Sequence, residues 1–268
     1  FLAMGVAAAA TVPLASMGPV VAASLRHSFT TGLQTYSLKE LQLHYLLPLV
    51  RRLGFGRVEL YDRQLSPFSS RRDLENALGD IRTNQIEVVA FYSDLFSADE
   101  LETHTLFGFG AKLGIGLFST GQSPEALEVA DRLVPAYGID VAIHNTSPDP
   151  GSAYVTLEDV RSALDYMPNL TACVDVGNFF RSGIDPAEAI RVIGDRVREV
   201  HIKDVDKNGA HTLLGDGEID LPSIMQALDD VRYEGLVTLE YGGYPGDIPR
   251  RIESIAENGR RLARLIGA

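Results

Sequence analysis

Four short apolar runs in the C-terminal half of the chain each end in a residue that can bind a metal ion or move a proton. The four runs end at His144, Asp175, His201 and Glu240. In the runs around Asp175 and His201, aliphatic side chains occupy every second position, and this two-residue period predicts β-strands. Because α/β proteins carry their chemistry at the C-terminal ends of the strands, the four residues are predicted to lie close together.

Two imidazoles and two carboxylates form a donor set that suits a divalent ion. Mn²⁺, Co²⁺, Fe²⁺ and Zn²⁺ accept nitrogen and oxygen ligands together, Mg²⁺ accepts the carboxylates, and Ca²⁺ prefers oxygen alone. A catalytic ion keeps open positions, which neighbouring sugar oxygens could fill. Taken singly, each residue also has a structural interpretation, such as an N-cap role for Asp175. Their shared position at four successive strand ends favours one metal site, with ligands His144, Asp175, His201 and Glu240.

Strand and helix patterns alternate along the chain after residue 28. The predicted strands cover residues 31–37, 56–61, 86–92, 114–119, 139–144, 170–175, 199–203 and 236–240. The predicted helices cover residues 38–53, 69–84, 97–113, 123–137, 156–166, 186–193, 221–231 and 249–266. Eight such pairs without a long linker predict an α/β fold, a (β/α)₈ TIM barrel over residues 25–268. A doubly wound open sheet is the competing architecture, but it gives no reason for polar groups at so many strand ends.

Composition narrows the classes of partner. The chain has 268 residues, close to the size of a single barrel. Its net charge of −12 argues against a nucleic-acid surface, which should be basic. The one cysteine, Cys173, excludes an internal disulfide and a cysteine-rich zinc site, and is expected to be a small core residue.

Residues 1–24 differ from the rest of the chain. They are apolar, rich in Ala, Gly and Met, and no charged residue precedes Arg26. A run of four alanines and the later Val21-Ala-Ala23 resemble the core and cleavage region of a signal peptide. We therefore expect export to the periplasm or beyond, with no stable membrane insertion once the leader is removed. A membrane anchor and an apolar arm packed on a partner are the alternatives.

Several segments carry a resemblance to one family. These are Leu33-Gln-Thr-Tyr-Ser, Val58-Glu-Leu, Ala142-Ile-His-Asn, Cys173-Val-Asp-Val-Gly-Asn, Val200-His-Ile-Lys-Asp-Val, Leu214-Gly-Asp-Gly-Glu-Ile-Asp-Leu and Leu239-Glu-Tyr. Together they resemble the sugar phosphate isomerase/epimerase group of the xylose isomerase-like TIM barrels, to which endonuclease IV is also related. The resemblance extends from Thr31 to the C-terminus and is most specific at the last four strand ends.

The resemblance implies one divalent ion held by residues from the fifth to eighth strands. The family usually supplies Glu, Asp, His and Glu in that order. Asp175, His201 and Glu240 match in type. His144 stands in the place of the first Glu, as in a subset of relatives that have Ile-His-Asn-His.

The implied activity is isomerisation or epimerisation of a small carbohydrate, a sugar or a keto-sugar. Family epimerases use two metal-bound glutamates to move the proton, and His144 replaces one of them. Thr146 and Asn178 stand where relatives carry two further histidines. Glu240 is then the candidate base that removes a proton next to a metal-polarised carbonyl, and Lys203, His144 or a bound water would return it or stabilise the enediolate.

Other residues are candidates for substrate contact because they lie at predicted strand ends or on the loops that follow. These candidates are Glu59, Gln34, Tyr36, Asn178 and Lys203. His211 could reach the mouth from the seventh loop, whereas His44 and His104 lie in predicted helices and are not expected to be ligands.

Three other functions stay open alongside the isomerase. A lyase acting by β-elimination on a 3-keto-glycoside would need the same carbonyl activation and the same proton abstraction. An endonuclease IV-like phosphodiesterase would need more histidines at the rim and a less acidic chain. A sugar-binding barrel without activity would explain the departures at Thr146 and Asn178. The expected partner is a small carbohydrate substrate. The sequence is also compatible with a homo-oligomer.

Overall fold

The computed structural model describes residues 29–267. Its strands are β1 (Thr30–Gln34), β2 (Arg57–Tyr61), β3 (Glu87–Tyr92), β4 (Leu117–Thr120), β5 (Asp140–His144), β6 (Thr171–Asp175), β7 (Val197–Ile202), β8 (Asp204–Val205), β9 (His211–Thr212) and β10 (Leu236–Leu239). Its α-helices are α1 (Leu43–Arg52), α2 (Arg71–Thr83), α3 (Glu100–Leu113), α4 (Pro124–Tyr137), α5 (Leu157–Tyr166), α6 (Val176–Arg181), α7 (Pro186–Ile193), α8 (Leu221–Asp230) and α9 (Ile248–Leu265). The predicted leader over residues 1–24 lies outside the described residues.

The strands close into a barrel in the order β1-β10-β7-β6-β5-β4-β3-β2, and all its neighbouring pairs are parallel. The predicted (β/α)₈ architecture is confirmed, because β1 and β10 pair with each other, whereas the two edge strands of an open sheet do not. The strands β8 and β9 follow β7 in the chain and form a separate antiparallel hairpin. In the described part of the chain, no helix is both long and apolar enough to cross a membrane.

Side-chain caps fix the helix starts that the sequence predicted. Ser70 and Ser123 each accept a hydrogen bond from a backbone N–H in the first helical turn, of α2 and α4 respectively. Thr156 and Asp159 form a reciprocal capping box at the start of α5. Pro124 occupies the first position of α4, where its missing N–H costs no hydrogen bond.

The structure departs from the predicted elements after two of the strands, β1 and β6. After β1 the chain turns into a 3₁₀ helix over Thr35–Leu38, and α1 begins only at Leu43. The Gln34 side chain accepts a hydrogen bond from the Tyr36 N–H and so starts this turn. After β6 an additional helix, α6, begins without a loop, because the Asp175 carboxylate caps it through the Asn178 N–H at 2.8 Å.

The apolar core lies between the strands and the surrounding helices. Phe91, Phe107, Phe118 and Phe179 are among its largest fully buried side chains. Inside the barrel, the small residues Ala90, Ala142 and Cys173 form a separate cluster with Leu117 and Leu236. Small side chains at this level leave room within the barrel for polar groups, which lie directly below the C-terminal mouth.

Candidate active site at the barrel mouth

A cavity of about 500 Å³ opens at the C-terminal ends of the barrel strands. This volume is within the range of small-molecule sites in proteins. The four predicted ligands lie in its floor and wall, namely His144, Asp175, His201 and Glu240. The parallel register explains this placement, since Asp175 pairs with His201 across β6 and β7, and the Glu240 N–H bonds to the Ile202 carbonyl.

Three of the predicted ligands form one compact group. Asp175, His201 and Glu240 each offer a ligand atom, and these atoms lie within 4.8 Å of one another. The Nδ1 atom of His201 is 3.3 Å from Glu240 Oε2 and 3.8 Å from Asp175 Oδ2. His144 joins them from the side, with its Nε2 atom 3.3 Å from Asp175 Oδ2. The sequence therefore identified four side chains that the fold brings together.

Lys203 lies in the middle of this group. Its Nζ atom donates to Asp175 Oδ2 at 2.6 Å and is 2.8 Å from Glu240 Oε2. Only 2% of the lysine side chain is exposed, so both contacts are shielded from water. The ammonium therefore meets the same carboxylate oxygens that face His201 Nδ1.

The charges at the centre set the protonation of its members. Burial alone would raise the pKa of Asp175 and of Glu240, but the Lys203 ammonium and the neighbouring histidines together outweigh it and hold both pKa values well below their usual range. Burial would conversely lower the pKa of Lys203, and the two carboxylates raise it instead. At neutral pH Asp175 and Glu240 are thus carboxylates beside the Lys203 ammonium, and Glu240 is in the form that can accept a proton.

A layer of buried polar residues supports His201 from below. His201 Nε2 is 2.7 Å from Glu59 Oε2 and 3.6 Å from Glu199 Oε1. Ser119 Oγ donates to Glu59 Oε1, and Thr238 Oγ1 donates to Glu199 Oε1 at 3.3 Å. A carboxylate on the Nε2 side of the ring directs Nδ1 towards the mouth, where it could bind an ion.

This polar layer also perturbs the ionisation of its members. Burial and the neighbouring Glu59 charge raise the pKa of Glu199 to about 7. Burial disfavours a charged His201 ring, but the carboxylates of Glu59 and Glu199 raise its pKa well above the usual value. An ion bound at Nδ1 would therefore release a proton from the ring. Burial raises the pKa of Cys173 well above the usual value, so its thiol stays protonated and is a core residue as predicted.

The residues present fit a divalent ion. Both ring nitrogens of His144 and of His201 are buried and have no hydrogen-bond partner of good geometry within residues 29–267, which is uncommon for histidine. The oxygens of Asp175 and Glu240 complete a mixed nitrogen and oxygen donor set that suits Mn²⁺, Co²⁺, Fe²⁺ or Zn²⁺. His144, Asp175, His201 and Glu240 are accordingly the residues that would hold it.

The predicted substrate contacts are placed in different environments. Gln34, Tyr36, Asn178 and Lys203 line the cavity. Glu59 has no exposed surface and lies below the cavity, where it contacts His201 instead of the cavity wall. The prediction that Glu59 lies at a strand end was wrong, because β2 continues to Tyr61 and the barrel directs the Glu59 side chain inward.

Asn178 is held by protein groups at both ends of its amide. Its Oδ1 atom accepts from Ser147 Oγ at 2.8 Å and from Arg181 Nη1 at 2.9 Å, and its Nδ2 atom donates to the Asn145 carbonyl at 3.0 Å. Asn145 in turn accepts, through Oδ1, from the Asp175 N–H at 2.7 Å. Asn178 thus connects the loop after β5 to α6 and fixes the backbone that presents Asp175.

Sequence reasoning did not identify several residues of the site. Glu199 shares a strand face with His201 and Lys203, a signal that was visible, but a fully buried carboxylate was not expected there. Arg181 lines the cavity from α6, a helix that the periodicity did not indicate. His211 was expected to reach the mouth, and it lines the cavity from β9.

The family model described as xylose isomerase-like TIM barrel matches residues 122–265. This segment contains all four candidate ligands and Lys203. The chain belongs to this family. The stretch before residue 122 supplies β1 to β4 of the same barrel, and with them Glu59 and Ser119 of the polar layer.

The curated relatives are partial matches to inosose dehydratases. The enzyme of that name from Clostridium perfringens is 29% identical over 136 residues, which is 43% of this chain and 45% of the relative. The one from Lacticaseibacillus casei is 31% identical over 84 residues, 25% of this chain and 28% of the relative. The matches thus span less than half of the length of these relatives.

Solved structures of similar fold cover most of the chain. A D-psicose 3-epimerase determined in the presence of D-fructose has a TM-score of 0.72 at 16% identity, covering 89% of this chain and 99% of its own. A probable 3-DHS dehydratase from Bacillus anthracis has a TM-score of 0.68 at 15% identity, covering 88% and 100%. At these identities the likeness establishes the barrel fold.

Proposed function

We propose that the protein is a metal-dependent sugar isomerase or epimerase that removes a proton next to the carbonyl of a sugar or keto-sugar. The observation that carries the proposal is the convergence of Asp175, His201 and Glu240, flanked by His144, in the floor of a cavity of about 500 Å³. A divalent ion at these ligands would polarise the substrate carbonyl and make the neighbouring carbon acidic.

Glu240 is the proposed base. It follows β10 directly and lines the cavity, and its carboxylate is ionised because Lys203 lowers its pKa. A carboxylate that faces the cavity can reach a proton on a bound substrate, which a carboxylate inside the barrel such as Glu59 cannot. Lys203 supplies a positive charge to the substrate oxygen on which negative charge develops.

His144 is the proposed partner for returning the proton. It lies at the end of β5 and Glu240 at the end of β10, so the two side chains flank Asp175 and His201 along the arc of strands. Its ring lines the cavity, and neither nitrogen has a hydrogen bond of good geometry to the part of the chain that the structure describes. Groups at the two ends of the arc could act on opposite faces of one carbon atom, as epimerisation requires.

Exchange of substrate hydrogen with deuterium oxide tests the shared proton-abstraction step. The protein, loaded with Mn²⁺, would be incubated with D-fructose, D-psicose, D-tagatose and an inosose, and deuterium incorporation would be followed by NMR. We expect incorporation next to the carbonyl of at least one compound, at a rate lowered at least about 100-fold by Glu240→Gln. Exchange that is equally fast in Glu240→Gln would remove Glu240 from the role of base.

A dehydratase or another β-eliminating lyase is the second candidate function. The curated relatives are named inosose dehydratases, and the site has one carboxylate base at its mouth where two would suit a symmetrical epimerase. In elimination, Glu240 would take the proton while His144 or Lys203 protonates the departing hydroxyl or alkoxyl group.

Product analysis separates the two candidates. Epimerisation conserves the mass of the sugar, whereas elimination yields an unsaturated product together with water or a released aglycone. Incubation with an inosose and with a 3-keto-glycoside, followed by mass spectrometry, distinguishes these outcomes. Loss of water or of aglycone would assign the protein to the lyases, and a rearranged sugar of unchanged mass would assign it to the isomerases.

A further inference from the structure

Among the residues that the structure describes, Lys203 is the one lysine whose ammonium contacts two carboxylates of the site at once. Its Nζ atom is 2.6 Å from Asp175 Oδ2 and 2.8 Å from Glu240 Oε2. Those same two oxygens face His201 Nδ1, at 3.8 and 3.3 Å. The ammonium and the nitrogen and oxygen donors of the proposed metal site therefore share the same acceptor atoms.

We propose that the Lys203 ammonium and a divalent ion compete for these two carboxylate oxygens, so that Lys203 sets how tightly the site holds an ion. The inference rests on the proposed metal site. Two carboxylates balance the charge of one divalent ion. An ammonium that stays on the same oxygens adds a further positive charge at short range, where a buried site gives little screening.

The position of the lysine is built into the fold. The Lys203 stem passes over Gly177 at the start of α6, where a Cβ atom would lie 2.6 Å from Lys203 Cδ and 2.8 Å from Cγ. Real Cβ atoms do not approach other carbons so closely, so a residue without a side chain is needed at this place. The lysine is thus guided to the carboxylates by the backbone of α6.

An ammonium that the ion displaces from the carboxylates would be free to contact the substrate. Lys203 also lines the cavity, so an ammonium that leaves the carboxylates has substrate oxygens within its reach as new acceptors. Binding of the ion would in this way free the ammonium as the group that neutralises charge on the substrate.

Titration calorimetry of chelator-treated protein with Mn²⁺ tests the competition. We expect Lys203→Met to bind Mn²⁺ at least about tenfold more tightly than the unsubstituted protein, because the competing charge is gone. Lys207→Met is the matched control, since it removes the same charge from an exposed position four residues further along the chain, and its affinity should not change. A thermal melt with and without Mn²⁺ should show a larger rise of Tm in Lys203→Met than in the control.

Two further outcomes are decisive. If Lys203→Met does not fold, Lys203→Gln keeps a hydrogen-bond donor without the charge and should give the same tighter binding. Mn²⁺ affinity that is equal or weaker in these variants would overturn the competition and make Lys203 a residue that holds the ligands in place, with the metal site intact. Absence of Mn²⁺, Co²⁺ and Zn²⁺ binding in the unsubstituted protein would overturn the proposed metal site itself.

Discussion

His201 shows how a single residue of the site depends on groups that never meet a substrate. The ring has two nitrogens, and only an orientation with Nδ1 towards Asp175 and Glu240 serves the proposed metal site. The carboxylates of Glu59 and Glu199, inside the barrel, interact with the opposite nitrogen. Histidine ligands in metal sites commonly have such a carboxylate behind them, which fixes the ring and raises its basicity.

Glu59→Gln should therefore weaken metal binding without removing a ligand. The amide keeps the shape of the side chain but not the charge that pairs with His201, and loss of such a group typically costs about 10- to 100-fold in metal affinity. Mn²⁺ titration measures the effect. Glu87→Gln, which alters an exposed carboxylate on β3 paired with Arg57, is the control. Equal affinity in both variants would show that the packing of the barrel alone orients His201.

At the scale of elements, α6 and the β8–β9 hairpin form one side of the cavity wall, with Asn178, Arg181 and His211. The helix follows β6 without a loop because Asp175 caps it, so one carboxylate both stabilises the helix and serves the site. Gly177 in this helix lies against the stem of Lys203. The geometry of the charged centre is thus coupled to the packing of a single helical turn.

Gly177→Ala should destabilise the protein. The added methyl group would overlap the buried stem of Lys203, and overpacking of this kind costs about 1–3 kcal/mol. Gly79→Ala in α2 is the matched control, since its Cβ would meet no atom within 4 Å and alanine is the better helix former by about 1 kcal/mol. Urea unfolding should show opposite signs for the two variants. A stabilised Gly177→Ala would mean that the lysine moves aside at little cost.

The hairpin contributes a pH dependence through His211. Burial, followed by the Lys203 charge, lowers the pKa of His211 to about 4. The unfolded chain binds a proton at this histidine below about pH 6.5, whereas the folded protein does not until about pH 4. Stability is therefore lost as the pH falls through this window, by about 2 kcal/mol at pH 5.

Unfolding in urea at pH 7 and pH 5, in the presence of a chelator, measures this loss. His211→Gln should lose less stability between the two pH values than the unsubstituted protein. His104→Gln, at a half-exposed histidine of α3, should follow the unsubstituted protein. The assignment to His211 fails if the two variants show the same pH dependence.

For the whole molecule, the alternation of strand and helix patterns was sufficient to predict the barrel and the meeting of its last four strand ends. Parallel strands with a common edge bring such residues together whatever the loops do. The polar layer was not predictable in the same way. Glu59 and Glu199 come from β2 and β7, which are not neighbours in the barrel, and their contact with His201 depends on the room that small residues leave in its interior. The start of α6 depends on a cap rather than on periodicity.

Closure of the barrel connects its first and last parts through Arg251 of α9. This buried guanidinium donates to the Gly243 carbonyl at 2.9 Å, to the Ser37 carbonyl at 3.3 Å and to Glu40 Oε2 at 2.8 Å. It thereby joins the loop after β10, which begins at Glu240, to the turn after β1. The proposed base is consequently held in place by contacts made at the seam of the barrel.

Arg251→Met should lower the free energy of unfolding by about 3 kcal/mol, because buried carbonyl groups and a carboxylate lose their donor. This loss corresponds to a fall in Tm of roughly 6–12 °C. Arg264→Met changes an exposed arginine of the same helix and should leave Tm within about 2 °C. At a temperature where both variants are folded, the exchange of substrate hydrogen with deuterium should also be slower in Arg251→Met than in Arg264→Met, because the loop that presents Glu240 is no longer fixed. Unchanged exchange together with a lowered Tm would confine Arg251 to stability and leave β10 itself as the element that positions the base.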